Sequence, residues 1–107
     1  MPGPAPDLVR AVPFFANLSD ADVAALAPEF DERDYAAGQL IVAEGQHGHA
    51  FFLVESGEAT VVRQGKEIRT LGPGSWFGEL ALFDREARRS ASVTATSAMR
   101  CWSLPVF

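Results

Sequence analysis

Apolar positions change their spacing once along this chain. Up to Phe30 they recur at helical intervals, as Leu8, Val9 and Val12 and then Val23, Leu26 and Phe30. Residues three or four apart share one side of an α-helix, so two short amphipathic helices are predicted. Asp7 is placed to cap the first, which Pro13 closes. In Ser19-Asp20-Ala21-Asp22 the Ser19 hydroxyl can accept a first-turn N–H, and Asp22 suits the positive helix end. Leu18 can staple back onto this helix, Ala24, Ala25 and Ala27 favour it, and Pro28 limits it to about two turns.

From Tyr35 onward glycine sets the rhythm, at Gly38, Gly45, Gly48, Gly57, Gly65, Gly72, Gly74 and Gly78. Between and beyond these lie Gln39–Ala43, Ala50–Glu55, Ala59–Arg63, Glu67–Leu71, Ala91–Ala95 and Arg100–Leu104, all rich in apolar or β-branched residues. Strands of about five residues separated by turn signals predict an antiparallel sandwich or barrel. Gln64-Gly65 reads as a tight hairpin turn, and Gly72-Pro73-Gly74 as a turn before Trp76-Phe77. Glu79-Leu80-Ala81-Leu82 breaks the strand series with good helix formers, which predicts one short helix inserted between strands.

Length and charge narrow the possibilities. A chain of 107 residues that is 48% hydrophobic holds a single core and is too apolar to be disordered. It has no apolar run of the ~18 residues that span a bilayer. The net charge of −5 argues against a surface that binds nucleic acid as a whole. That average hides a split: residues 1–58 carry ten acids and two bases, whereas residues 59–107 carry four acids and seven bases. A ligand is therefore expected in the second half. The lone Cys101 excludes an internal disulfide and a cysteine-pair zinc site. Residues 1–6 contain three prolines and none of the features of a secretory signal. They read as a flexible leader to a domain over residues 7–107, and the cytoplasm is the default location.

The basic half contains a candidate anion site. Gly78 precedes the short helix, and Arg85, Arg88 and Arg89 follow it. An opening helical turn offers unpaired N–H groups, a glycine lets a ligand approach the backbone, and an arginine fork holds two phosphate oxygens. Glu79 would repel a phosphate but can accept from ribose hydroxyls. Such a cluster is more often ordinary capping and a solvated face, and spacing alone does not separate the two.

The run Phe77-Gly78-Glu79-Leu80-Ala81-Leu82-Phe83, followed by Arg89-Ser90-Ala91-Ser92-Val93, resembles the phosphate-binding cassette of the cyclic nucleotide-binding domain family. Its loop length is similar to that of the bacterial cAMP receptors rather than the slightly shorter one of protein kinase A regulatory subunits. Val12-Pro13-Phe14-Phe15-Ala16-Asn17-Leu18-Ser19, Tyr35-Ala36-Ala37-Gly38, Phe51-Phe52-Leu53-Val54-Glu55-Ser56-Gly57 and Leu71-Gly72-Pro73-Gly74-Ser75-Trp76 extend the likeness upstream. The resemblance implies a mainly β fold. This is a jelly-roll barrel, or double-stranded β-helix, with short N-terminal helices and a short phosphate-binding helix between strands.

It also implies roles. Glu79 would accept from the ribose 2′-hydroxyl and Arg89 would pair with the cyclic phosphate, supported by Ser90. Gly78, Leu80, Ala81 and Ala91 would shape the pocket or donate N–H groups, and Val61 and Leu71 would contact the purine. The ligand would be cAMP more readily than cGMP, with no further cofactor and no catalytic residue. Binding would shift the population of an effector in cis or of a homodimer partner, without direct nucleic-acid contact by this segment. Arg85 and Arg88 receive no family role and read as solvated or paired with Asp84 and Glu86. The loop Asp84–Arg88 lacks the glycine and proline common there. The family's C-terminal lid helices are absent by Val106-Phe107, which suggests a fragment of a longer protein.

Competing readings are a ligand-free interaction roll and a cupin-like metal site at His47, His49 and Glu55. The latter lacks the motif's spacing and its last histidine, so a turn is the simpler account. Ser90 and Ser92 have no identifiable base partner for nucleophilic catalysis. Phe14, Phe15, Phe51, Phe52, Trp76, Phe77 and Trp102 read as core, and Cys101 as a packed thiol.

Overall fold

A computed structural model describes residues 3–84 and 86–106. Eight strands form two four-stranded antiparallel sheets, packed as a jelly roll. The first sheet has the order β1-β8-β3-β6, built from Asp31–Tyr35, Met99–Pro105, Ala50–Ser56 and Trp76–Phe77. The second runs β2-β7-β4-β5, from Leu40–Val42, Ser92–Ala95, Ala59–Arg63 and Lys66–Leu71. The predicted strands form close to their expected limits. Two further strands lack the expected pattern: β1 is the polar run Asp-Glu-Arg-Asp-Tyr, and β6 is apolar but only two residues long.

Strand β3 organises the interior. Phe51, Phe52, Leu53 and Val54 are all buried, although successive side chains on a strand point to opposite faces. Phe52 and Val54 join Val61, Leu71, Val93, Met99 and Cys101 between the two sheets. Phe51 and Leu53 face the other way, onto Val9, Val12, Val23, Phe30 and Trp102. The N-terminal helices thus cover the outer face of the first sheet. This double burial explains the unbroken apolar run at the centre of the sequence. Burial pushes the Cys101 thiol up to about 12, in keeping with a packed thiol.

The helices follow their signals with small shifts. The first, α1, is Pro6–Arg10 with Ala5 at its cap, two residues ahead of the predicted cap at Asp7. Proline at the first helical position costs no hydrogen bond, because that N–H has no intrahelical partner. Pro4 is buried, so the ordered packing begins ahead of the proposed domain start at residue 7. In α2, Asp20–Leu26, the Ser19 Oγ accepts from the Asp22 amide at 3.1 Å as predicted, and Ala27–Glu29 ends it in a 3-10 turn at Pro28. The β4–β5 hairpin turns on Gln64 (φ 52°) and Gly65 (φ 78°), the two positive angles of a type I′ turn. Phe14 departs from the core reading: it is 42% exposed and packs edge-on against Phe83 at 5.2 Å. Among the described residues no helix is long and apolar enough to cross a membrane.

Candidate functional site

Helix α3, Leu80–Phe83, leaves the first sheet directly after β6. Gly78 makes the bend with φ +79°, which a side chain tolerates poorly. Ala81 and Leu82 face inward, while Leu80 is 48% exposed. The chain then returns through residues 86–91 to β7, and this return brings Arg89 back beside Gly78.

Arg89 is held from several directions. Its backbone N–H donates to the Gln46 carbonyl at 2.8 Å, and its carbonyl accepts from the Gly45 amide at 2.8 Å. The guanidinium lies 5.8 Å over the Phe52 ring, which stacks on Phe77 at 4.7 Å. A methyl group on Gly48 would stand 2.0 Å from Arg89 Nε, and one on Gly78 would stand 2.6 Å from Arg89 Nη1. Two glycines therefore make room for one side chain.

This guanidinium is half-buried, yet among the described residues no carboxylate forms an ion pair with it. Burial lowers its pKa, and the nearby charge of Glu79 offsets part of that. It remains a cation, because arginine does not give up its proton within the range proteins meet. Such an arrangement retains the desolvation cost without its compensation, and an external anion would supply the missing charge.

The space in front of it is an open cavity of about 690 Å³, open solvent at its mouth included. Eight of the nine residues predicted from sequence line it: Val61, Gly78, Glu79, Leu80, Ala81, Arg89, Ser90 and Ala91. The ninth, Leu71, lies instead in the inter-sheet core at 2% exposure, because it ends β5 on the inward face. The cavity lining includes Glu79, Leu80, Ser90 and Ala91, whose backbone N–H groups donate in none of the turn and loop hydrogen bonds among the described residues. The sequence reading missed Gly48, Ile68 and Arg69, which the cavity also includes. Gly48 could have been suspected from its unusual place between two histidines, but only the fold sets it against Arg89.

The neighbouring candidates resolve differently. Arg88 donates to the Gly45 carbonyl at 2.9 Å and bridges its backbone with His47, rather than pairing with Asp84 or Glu86. The Asp84 carboxylate accepts from the Glu86 amide at 2.9 Å. Arg85 falls outside the described residues. The Ser92 hydroxyl accepts from the Glu44 amide at 2.9 Å, a structural use. Glu55 accepts from Trp102 Nε1 at 2.8 Å, so it serves the β3–β8 pair instead of joining His47 and His49. No group of three or more potential metal ligands occurs among the described residues.

Residues 32–106 match the family model of the cyclic nucleotide-binding domain. A cAMP-dependent protein kinase regulatory subunit from Eremothecium gossypii is 37% identical over 92% of this chain and 21% of its own length. The regulatory domain of Toxoplasma gondii protein kinase A, solved with cAMP, superposes with a TM-score of 0.83 at 32% identity, covering 92% of this chain and 39% of that one. The catabolite activator protein of Thermus thermophilus gives a TM-score of 0.76 at 36% identity, over 87% of this chain and 46% of that one. The chain spans a quarter or less of the length of the curated relatives it matches.

Proposed function

The chain belongs to the cyclic nucleotide-binding domain family, and on that premise we propose that its cavity binds a purine nucleoside 3′,5′-cyclic monophosphate and reports it to an effector. The observation that carries this reading is the half-buried guanidinium of Arg89, which forms no ion pair among the described residues and faces an open cavity. In the proposed complex Arg89 forks onto the cyclic phosphate, and the amides of Ser90 and Ala91 complete its coordination. Glu79, half-buried at the start of α3, accepts from the ribose 2′-hydroxyl. Val61 supplies an apolar surface for the purine. The protein needs no metal or cofactor for this role, because binding alone is the event. Occupying Arg89 changes the interactions of α3 and of the Gly45–Gly48 loop together. That coupling favours one arrangement of a regulated partner, either a further domain of the same chain or a second copy. The domain acts as a regulator in the cytoplasm, and the chemistry or DNA contact belongs to the effector. Calorimetric titration of the full-length protein with cAMP and with cGMP tests the reading. Saturable one-site binding to at least one is the expected result, and no heat with either would remove the proposal.

A further inference from the structure

One serine of this chain stands apart from the rest. The hydroxyls of Ser19, Ser75, Ser92 and Ser97 accept from backbone amides, and Ser103 is buried. Ser56 is exposed but lies between Glu55 and Glu58, where a phosphate would meet like charge. Ser90 is exposed, lines the cavity and directly follows Arg88 and Arg89. It sits in a bend between the bridge at Arg88 and the start of β7 at Ser92, outside any helix or strand. Among the described residues its side chain takes part in no hydrogen bond. The half-buried guanidinium beside it forms no ion pair there either.

We propose that Ser90 is a phosphorylation site, and that the phosphate installed there pairs with Arg89 and closes the cavity to cyclic nucleotides. The inference rests on the function proposed above. Two arginines ahead of a serine form a cationic stretch that suits the acidic substrate groove of an arginine-directed serine kinase. In the transfer, the Ser90 Oγ attacks the γ-phosphorus of ATP, the bond to ADP breaks, and the hydroxyl proton passes to the catalytic aspartate of the kinase. The phosphoserine carries about −1.5 to −2 charges and three strong acceptor oxygens. An arginine fork takes phosphate oxygens equally well from a ligand or from the chain itself. The covalent phosphate thus supplies the anion that the desolvated Arg89 lacks, and its charge repels the phosphate of an arriving nucleotide. Bound nucleotide covers Ser90 in turn, so the empty domain is the substrate.

The test incubates the full-length protein with a purified arginine-directed serine kinase and MgATP, both free and saturated with cAMP or cGMP. Peptide mass spectrometry is expected to place a phosphate on Ser90 of the free protein, with none gained there in S90A and slower modification of the saturated protein. Calorimetry on the phosphorylated protein is expected to show affinity for cAMP and cGMP lowered about hundredfold, the scale of one or two charge-assisted hydrogen bonds. Its unfolding midpoint should rise above that of the unmodified protein, because Arg89 has gained a partner; this readout needs no nucleotide. Phosphate confined to other serines, or no phosphate at all, overturns the site. An unchanged nucleotide affinity overturns the antagonism, and a midpoint that stays or falls overturns the pairing with Arg89. If the unmodified protein binds neither nucleotide, the function proposed above falls and the antagonism with it. The mass spectrum and the midpoint then still decide whether Ser90 is modified and pairs with Arg89.

Discussion

Two arginines in this small domain are held in opposite ways. On the outer surface of the first sheet, Arg100 of β8 lies between Glu32 and Asp34 of β1, with Nε 3.4 Å and 2.9 Å from their carboxylates. Its pKa is raised, first by the hydrogen bond to Asp34. Arg89 is half-buried, has its pKa lowered by burial, and has no carboxylate within ion-pair distance among the described residues. Arg100 stitches two strands together in solvent, where such contacts contribute little. Arg89 sits where an unpaired cation is costly, and the fold spends two glycines and an aromatic stack to keep it there. A charge held at a structural cost without an internal partner points to a partner from outside.

The comparison can be broken most directly at Arg89. R89L is expected to weaken cyclic nucleotide binding by about 2–5 kcal/mol while leaving the unfolding midpoint of the free protein unchanged or higher, because a desolvated cation has been removed. Calorimetry and thermal unfolding on one sample read both effects, and a large fall in stability would mean that Arg89 is structural, like Arg100. G78A comes next. Its methyl group would meet Arg89 Nη1 at 2.6 Å and the Ala50 carbonyl at 2.7 Å, on a backbone at φ +79°. A loss of about 1–3 kcal/mol in unfolding free energy is expected from denaturant titration.

E79A should cost about 1 kcal/mol of ligand affinity, the scale of one net hydrogen bond. It should also erase the difference between a ribose and a 2′-deoxyribose ligand, and a difference that survives would unseat Glu79 from the ribose. R100Q should move the unfolding midpoint least of all, and raising the salt concentration should shrink even that shift. A salt-independent loss would show that the surface network matters more than its exposure implies.

What could be read from the chain follows the physical nature of each signal. Ser19, Pro28 and Gln64-Gly65 act on their immediate neighbours, and each appears where local chemistry placed it. Strand β1 was invisible because Asp31, Glu32, Arg33 and Asp34 are exposed, and its pairing depends on β8, far away in sequence. The cassette residues from Gly78 to Ala91 were legible as a motif, because ligand chemistry constrains them closely together. Leu71 and Arg69 show the limit. They are two apart in a regular stretch of one strand and so share its face, yet Leu71 packs between the sheets while Arg69 lines the cavity, a difference set by what lies opposite each and not by residue type.

The backbone bonds joining Arg89 to Gly45 and Gln46 have a consequence for measurement. Together with the Arg88–Gly45 contact and the Ser92–Glu44 contact, they fasten two segments of the chain more than forty residues apart in sequence. Opening either segment must break bonds of the other, so their amides should exchange with deuterated solvent as a single cooperative unit. Ligand at the guanidinium would then slow exchange at Gly45, an amide that does not line the cavity, and that loop becomes a built-in reporter of occupancy.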